Sequence, residues 1–278
     1  MQTSMSETKT PAQPAIKETQ PPAEIAINLD NITVRFESRR SNVVAVKDFS
    51  LNIKRGEFIT IVGPSGCGKS TLLKVIAGLV KPSDGNVMLL GNKVTKPQQN
   101  IGFVFQQAAL LQWRGVLKNI MLQAEMRDMD MEKALARAHE LINMTGLKGF
   151  EKAWPHELSG GMQQRVSICR ALLHSPPVLL MDEPFGALDA MTREQMNMEL
   201  YDIWKRTATT VMFVTHSIPE AIFLGQRVVV MTPRPGQLLE LIDVDLPAER
   251  DYADTMSDKR FADQSHYLRD IFSNMKLH

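Results

Sequence analysis

Apolar and polar positions change period several times along the chain. Residues 25–36 and 43–53 alternate apolar with polar, the two-residue period of half-buried strands, and the charged stretch 37–42 between them reads as a turn. Residues 58–63 (Phe-Ile-Thr-Ile-Val-Gly) form a β-branched apolar run, as a strand buried on both faces should. Leu72, Leu73, Val75, Ile76 and Leu79 then recur at helical spacing. After a turn at 81–85, residues 87–90 and 100–105 read as strands. From about 117 to 147 the period is helical: Met131, Ala134, Leu135, Ala138, Leu141 and Ile142 make one apolar face, and Gly146 is a stop signal. A helix over 160–173 and a short strand over 178–182 follow. The next helix takes its buried face from Met196, Leu200, Ile203 and Trp204. Residues 210–215, 227–231 and 238–244 read as strands, 219–224 and about 260–272 as helices. Such alternation predicts an α/β fold with a mostly parallel sheet and an antiparallel β-subdomain at its start. The helical block at about 107–157 is expected to be an inserted subdomain.

Composition narrows this picture. Residues 1–24 are polar and carry Pro11, Pro14, Pro21 and Pro22, a composition that predicts a disordered tail. The remainder divides into a main domain over 25–246 and an extension over 247–278. Hydrophobic content of 44% and charge of 23% are ordinary for a globular protein. A net charge of +1 gives no bulk footprint for nucleic acid. No apolar run reaches the roughly 18 residues of a membrane span, and no apolar signal core opens the chain. The two cysteines, Cys67 and Cys169, read as reduced thiols and not as a disulfide framework.

Chemistry enters at residues 63–71. Gly63, Pro64, Ser65, Gly66, Cys67, Gly68, Lys69, Ser70 and Thr71 fit G-x-x-x-x-G-K-[ST], between the predicted strand and helix that such a loop needs. Its glycines bring backbone N–H groups against phosphate oxygens at a helix N-terminus, where the dipole favours anions. Lys69 places a charge near the β- and γ-phosphates, and the Ser70 hydroxyl is a Mg²⁺ ligand. Cys67 at that terminus is expected to have a lowered pKa, to alkylate readily and to be protected by nucleotide. Downstream, Asp182 ends an apolar strand and is suited to hold Mg²⁺ through its water shell; Glu183 follows and is suited to orient an attacking water. Ser159, Gly160 and Gly161 open the helix at 160–173. They make either an ordinary cap or a second anion site, which has a use if two chains face each other across ATP.

With the phosphate loop, Leu158-Ser-Gly-Gly-Met-Gln-Gln and Met181-Asp-Glu in this order, the chain from about residue 25 resembles the ATP-binding subunit of an ABC importer. The resemblance implies an ABC-type P-loop ATPase core that acts as a dimer with a second copy of itself. It assigns Phe36 to adenine stacking, Gln106 to Mg²⁺ and the attacking water, Asp189 to the loop crossing the dimer interface, and His216 to the γ-phosphate. It implies transmembrane permease subunits as partners, indirectly a solute-binding protein, and a peripheral location on the cytoplasmic face of the cell membrane. Leu110, Leu111 and Trp113 are candidates for the permease contact. A finer resemblance rests on Leu110-Leu-Gln-Trp113, on 181–189 and on Val230-Met-Thr-Pro-Arg-Pro-Gly236. It points to importers of nitrate, sulfonate, taurine or bicarbonate, a group that also takes up pyrimidine precursors. An ABC-type ATPase not coupled to transport is the alternative of another class. Repair types carry a long coiled coil and translation types two cassettes, and neither pattern is present here.

Overall fold

The computed structural model describes residues 24–38 and 41–275; the polar stretch 1–23 lies outside them. Strands β1 (Ile25–Ser38) and β2 (Ser41–Lys54) pair antiparallel. Along β1 the buried positions change phase, from Ile27 and Leu29 to Ile32 and Val34. The change falls at a register shift where Asn31 has φ 54°, so a bulge keeps both halves of the strand facing the core. Strand β3 (Phe58–Val62) leads into α1 (Lys69–Ile76). β4 (Asp84–Leu89) returns to pair with β1, the short β5 (Asn92–Lys93) flanks it, and β6 (Ile101–Val104) follows.

Next come α2 (Val116–Met126), α3 (Met131–Met144), a 3₁₀ turn at Pro155–Glu157 and α4 (Gly160–Leu172). The remaining elements are β7 (Val178–Asp182), α5 (Ala190–Thr207), β8 (Thr210–Val214), α6 (Ile218–Leu224), β9 (Arg227–Met231), β10 (Leu238–Asp243), α7 (Tyr252–Ser257) and α8 (Lys259–Met275). Two sheets result, ordered β2-β1-β4-β5 and β10-β9-β3-β8-β7-β6. In the second, β9, β3, β8, β7 and β6 run parallel and β10 is antiparallel to β9.

Side-chain alternation splits the parallel strands between two cores. Ile59, Ile61, Leu180, Met212 and Val229 face the antiparallel sheet and α1. Phe58, Val62, Met181, Phe213 and Val230 face the helical side. Burial on both faces is why these strands read as continuous apolar runs.

The structure departs from the sequence pattern in the helical block. The helical period divides into two helices at Asp128, which has φ 50°. On α3 only Ala134, Ala138, Leu141 and Ile142 are buried, whereas Met131 and Leu135 are exposed. The two alanines make the buried stripe narrow, so the flanking apolar residues stay outside it. Neither β5 nor α7 was anticipated, because two and six residues carry too little periodicity to register.

The segment after β6 is fixed by one side chain. Asn119 is fully buried on α2. Its Oδ1 accepts from the Leu111 N–H at 2.8 Å, and its Nδ2 donates to the carbonyls of Leu111 at 3.1 Å, Arg114 at 2.7 Å and Gly115 at 3.2 Å. Replacing it removes the partner of several half-buried backbone groups, each costing up to about 1–3 kcal/mol when left unpaired. Asn119→Leu is therefore expected to lower unfolding stability by about 2–4 kcal/mol, read from the midpoint of a urea transition. A loss under about 0.5 kcal/mol, as at an indifferent surface position, would contradict this.

Candidate functional site

The site is assembled from the C-terminal tips of neighbouring strands. From β3 the chain passes through residues 63–68 into α1. Gly68 has φ 108°, and a Cβ there would stand 2.7 Å from the Ala45 carbonyl oxygen. Both conformation and space require glycine at this point. Lys69 is 5% exposed, and its Nζ donates to the carbonyls of Gly63 at 2.9 Å and Pro64 at 3.1 Å. The Ser70 hydroxyl donates to Asp182 Oδ1 at 2.7 Å. Burial raises the Asp182 carboxyl above its ordinary range, against the lowering effect of that bond.

Cys67 overturns its expectation. Its side chain turns inward and is 1% exposed. Burial pushes the thiol pKa up, although the nearby Lys69 charge pulls it down. The helix-terminus argument gave the wrong sign because desolvation outweighs it, and a buried thiol of raised pKa is a poor nucleophile.

β7 ends at Asp182, and the next residue, Glu183, has φ 45°. That left-handed conformation is strained for glutamate, at a cost of roughly 1–3 kcal/mol, and is held by its N–H donating to the Val214 carbonyl at 2.9 Å. It aims the carboxylate at three groups. Oε1 lies 3.9 Å from Lys69 Nζ, while Oε2 lies 3.4 Å from His216 Nδ1 and 3.5 Å from Gln106 Nε2. Sheet order explains the convergence. β3, β8, β7 and β6 are successive neighbours, and they deliver the phosphate loop, His216, Glu183 and Gln106 in that order. Adjacent strands stand about 4.8 Å apart, so side chains at consecutive tips meet directly.

Two residues of the site's support were missed from sequence. The Thr215 hydroxyl donates to Glu220 and accepts from the Ser217 N–H at 2.9 Å, which fixes the turn carrying His216. Glu220 is buried on α6, and burial raises its pKa. Its Oε1 is 3.5 Å from Arg193 Nε, and Arg193 in turn donates to the Leu188 carbonyl at 2.8 Å. A lone acid inside the apolar run Ile-Pro-Glu-Ala-Ile-Phe-Leu was the available signal.

A groove of about 430 Å³ lies beside these groups; Asp182 and His216 do not border it and adjoin it through Ser70 and Glu183. Phe36, Ser65, Gly66, Gly68, Lys69, Ser70, Thr71, Gln106 and Glu183 border it, with Val43, Ala45 and Arg234, which sequence reading did not single out. Phe36 is 46% exposed, which leaves part of its aromatic surface open at the groove. Gly63, Pro64 and Cys67 support the loop from behind without lining the groove.

Ser159, Gly160, Gly161 and Asp189 do not border it either. Ser159 Oγ accepts from the Met162 N–H at 3.3 Å and caps α4; Asp189 accepts from the Thr192 N–H at 3.0 Å and caps α5. A Cβ on Gly161 would stand 2.7 Å from Thr192 Cγ2, so these two helix starts pack side by side.

For a metal, Ser70 Oγ and Asp182 Oδ1 form a pair of hard oxygen donors, which fits Mg²⁺. That ion keeps several waters and takes phosphate oxygens instead of needing a full protein cage. Among the described residues no group of three or more His, Cys, Asp or Glu is arranged to hold a metal. Buried lysine, polarised hydroxyl and acids at one end of a groove suit a polyphosphate whose terminal group is attacked by water.

The ABC transporter family model matches residues 46–186. The chain is 46% identical over 228 residues to an uncharacterized ABC transporter ATP-binding protein of Methanocaldococcus jannaschii, covering 82% of this chain and 85% of that protein. It is 42% identical over 226 residues to an aliphatic sulfonates import ATP-binding protein of Bacillus cereus, covering 81% and 89%. It is 44% identical over 213 residues to a taurine import ATP-binding protein of Ruegeria pomeroyi, covering 76% and 80%. Among solved structures, a dimeric bacterial ABC transporter cassette superposes with a TM-score of 0.71 at 36% identity, over 80% of this chain and 100% of that one. A post-hydrolysis dimer bound to ADP and phosphate gives the same TM-score and coverage at 35% identity. Motif order, sheet topology and these likenesses agree: the chain belongs to the ABC transporter family, as an ATP-hydrolysing cassette.

Proposed function

We propose that this chain is the ATP-binding and hydrolysing subunit of an importer for a small anion of the sulfonate, taurine or nitrate kind, working as a nucleotide-sandwich dimer. The observation that carries the catalytic part is Glu183, strained and aimed at Lys69, His216 and Gln106. On this reading Phe36 stacks on adenine, and the loop N–H groups and Lys69 hold the phosphates. Ser70 and Asp182, with Gln106, hold Mg²⁺, which would neutralise phosphate charge when bound. Glu183 orients the attacking water and His216 meets the γ-phosphate. Ser159, Gly160 and Gly161 lie outside their own chain's groove, which supports their use on the nucleotide of a second copy, with Asp189 beside them at the same junction. Loss of the γ-phosphate then removes the bridge between copies.

The relatives named for sulfonate and taurine import support the importer reading. An importer of a pyrimidine precursor remains the second solute class, and an ABC ATPase uncoupled from transport the alternative of another kind. No helix among the described residues is long and apolar enough to cross a membrane, so the proposal assigns the crossing to permease subunits. Of the three side chains considered for that contact, Leu110 belongs to the core and Leu111 is half-buried. Trp113 is 71% exposed, and it is the one we assign to the permease.

Glu183→Gln is expected to retain ATP binding, to lower phosphate release by about 10²- to 10⁴-fold, and to accumulate an ATP-bound dimer in sedimentation. Turnover within threefold of the unmodified chain would exclude the water-orienting role. Trp113→Ala is expected to leave the ATPase of the isolated subunit unchanged and to abolish most of the stimulation by permease-containing membranes. Full stimulation would exclude that contact, and absence of any stimulation in the unmodified chain would favour the uncoupled ATPase.

A further inference from the structure

We propose that Arg234 is a nucleotide-binding residue, adding a guanidinium to the polyphosphate site from the turn between β9 and β10. The inference rests on the groove being the ATP site and adds a ligand contact that the motifs do not supply.

The turn, Thr232-Pro-Arg-Pro-Gly-Gln237, is built to hold its arginine in place. Thr232 and Gln237 close it, with the Thr232 N–H donating to the Gln237 carbonyl at 3.0 Å and the Gln237 N–H donating to Thr232 Oγ1 at 2.9 Å. Prolines on both sides of Arg234 fix backbone φ angles. Gly236 pins the turn to β2: its N–H donates to the Ala45 carbonyl and its carbonyl accepts from the Lys47 N–H, both at 3.0 Å. From this base Arg234 reaches the phosphate loop, where its Nε donates to the Gly66 carbonyl at 3.3 Å.

The side chain is exposed and borders the same groove as Phe36, Lys69 and Ser70. Among the described residues no carboxylate lies within ion-pair distance of it. A guanidinium offers five N–H donors, and the Gly66 carbonyl engages one, which leaves donors for a further acceptor in the groove that Arg234 borders. Its natural complement is an oxyanion, and phosphate is the oxyanion class this groove is shaped for. Both side chains donate to carbonyls of the loop, Lys69 while buried and Arg234 while exposed.

The test is direct binding of MgATP and MgADP to the full chain by titration calorimetry. Arg234→Ala is expected to raise both dissociation constants about 5- to 20-fold, the size of a charge-assisted hydrogen bond at an exposed site, with an unchanged melting temperature. Arg234→Lys, which keeps the charge without the fork, is expected to recover part of that loss. Native affinity in Arg234→Ala overturns the proposal, as does a lysine variant as weak as the alanine one. A loss confined to ATP under dimer-forming conditions, with ADP affinity native, would move Arg234 to a contact between copies and also overturn it. Failure of the unmodified chain to bind either nucleotide would instead refute the ATP site itself.

Discussion

Backbone clamps the phosphate loop from two sides, and the arrangement of both sheets follows from that clamp. On one side β2 approaches so closely that a Cβ on Gly68 would stand 2.7 Å from Ala45 O. On the other, the β9–β10 turn approaches so closely that a Cβ on Gly236 would stand 2.0 Å from Cys67 O. Gly236 also bridges to Val46, so segments near residues 46, 67 and 236 share one junction. Only residues without a side chain permit three backbones to meet this way. The junction fastens the antiparallel sheet to the parallel one. It is the reason Phe36, from the first sheet, and Lys69 and Glu183, from the second, border a single groove.

The parallel sheet supplies the other half of the constraint. Its strands are buried on both faces, so a polar side chain within them must find a partner in the core. Thr60 does so, its hydroxyl donating to the Ala221 carbonyl at 3.0 Å. Everywhere else chemistry is pushed to the strand tips, where the backbone leaves the sheet. Four neighbouring tips then face one another by topology alone. Glu183 shows what this placement demands: its left-handed backbone is unfavourable by itself and persists because the β8 carbonyl of Val214 fixes its amide.

Much of this was legible in the sequence, because the informative features are local. The phosphate loop, the buried strand before it and the helix after it occupy one short stretch. The acids at 182 and 183 close an apolar run, and parallel strands announce themselves as apolar runs. What stayed illegible depends on residues far apart. Cys67 was misread because its helix terminus is visible in sequence, whereas the neighbours that bury it include Met231 on another strand. The work of Asn119 depends on a loop folding back over α2. Arg234 stood inside a string noticed only as a resemblance, and nothing local places residue 234 against residue 66. Met131 and Leu135 fit a helical period but not the narrow stripe that two alanines leave on α3.

The starts of α4 and α5 argue for where the remaining chemistry is used. A helix of thirteen residues and one of eighteen begin side by side, at Gly160 and Ala190, each with amide groups that no helical carbonyl can satisfy. Capping by Ser159 and Asp189 answers part of that need within the chain. A purely structural pair of caps would not require glycine at both 160 and 161, since a Cβ at 160 would meet nothing nearer than 4.0 Å. At 161 the packing against Thr192 explains the glycine; at 160 nothing inside the chain does. Bare backbone at the open end of a dipole is what an approaching phosphate needs, and this chain's own groove does not include it. The proposed sandwich dimer gives this bare backbone a use, because the nucleotide of a second copy would meet it there.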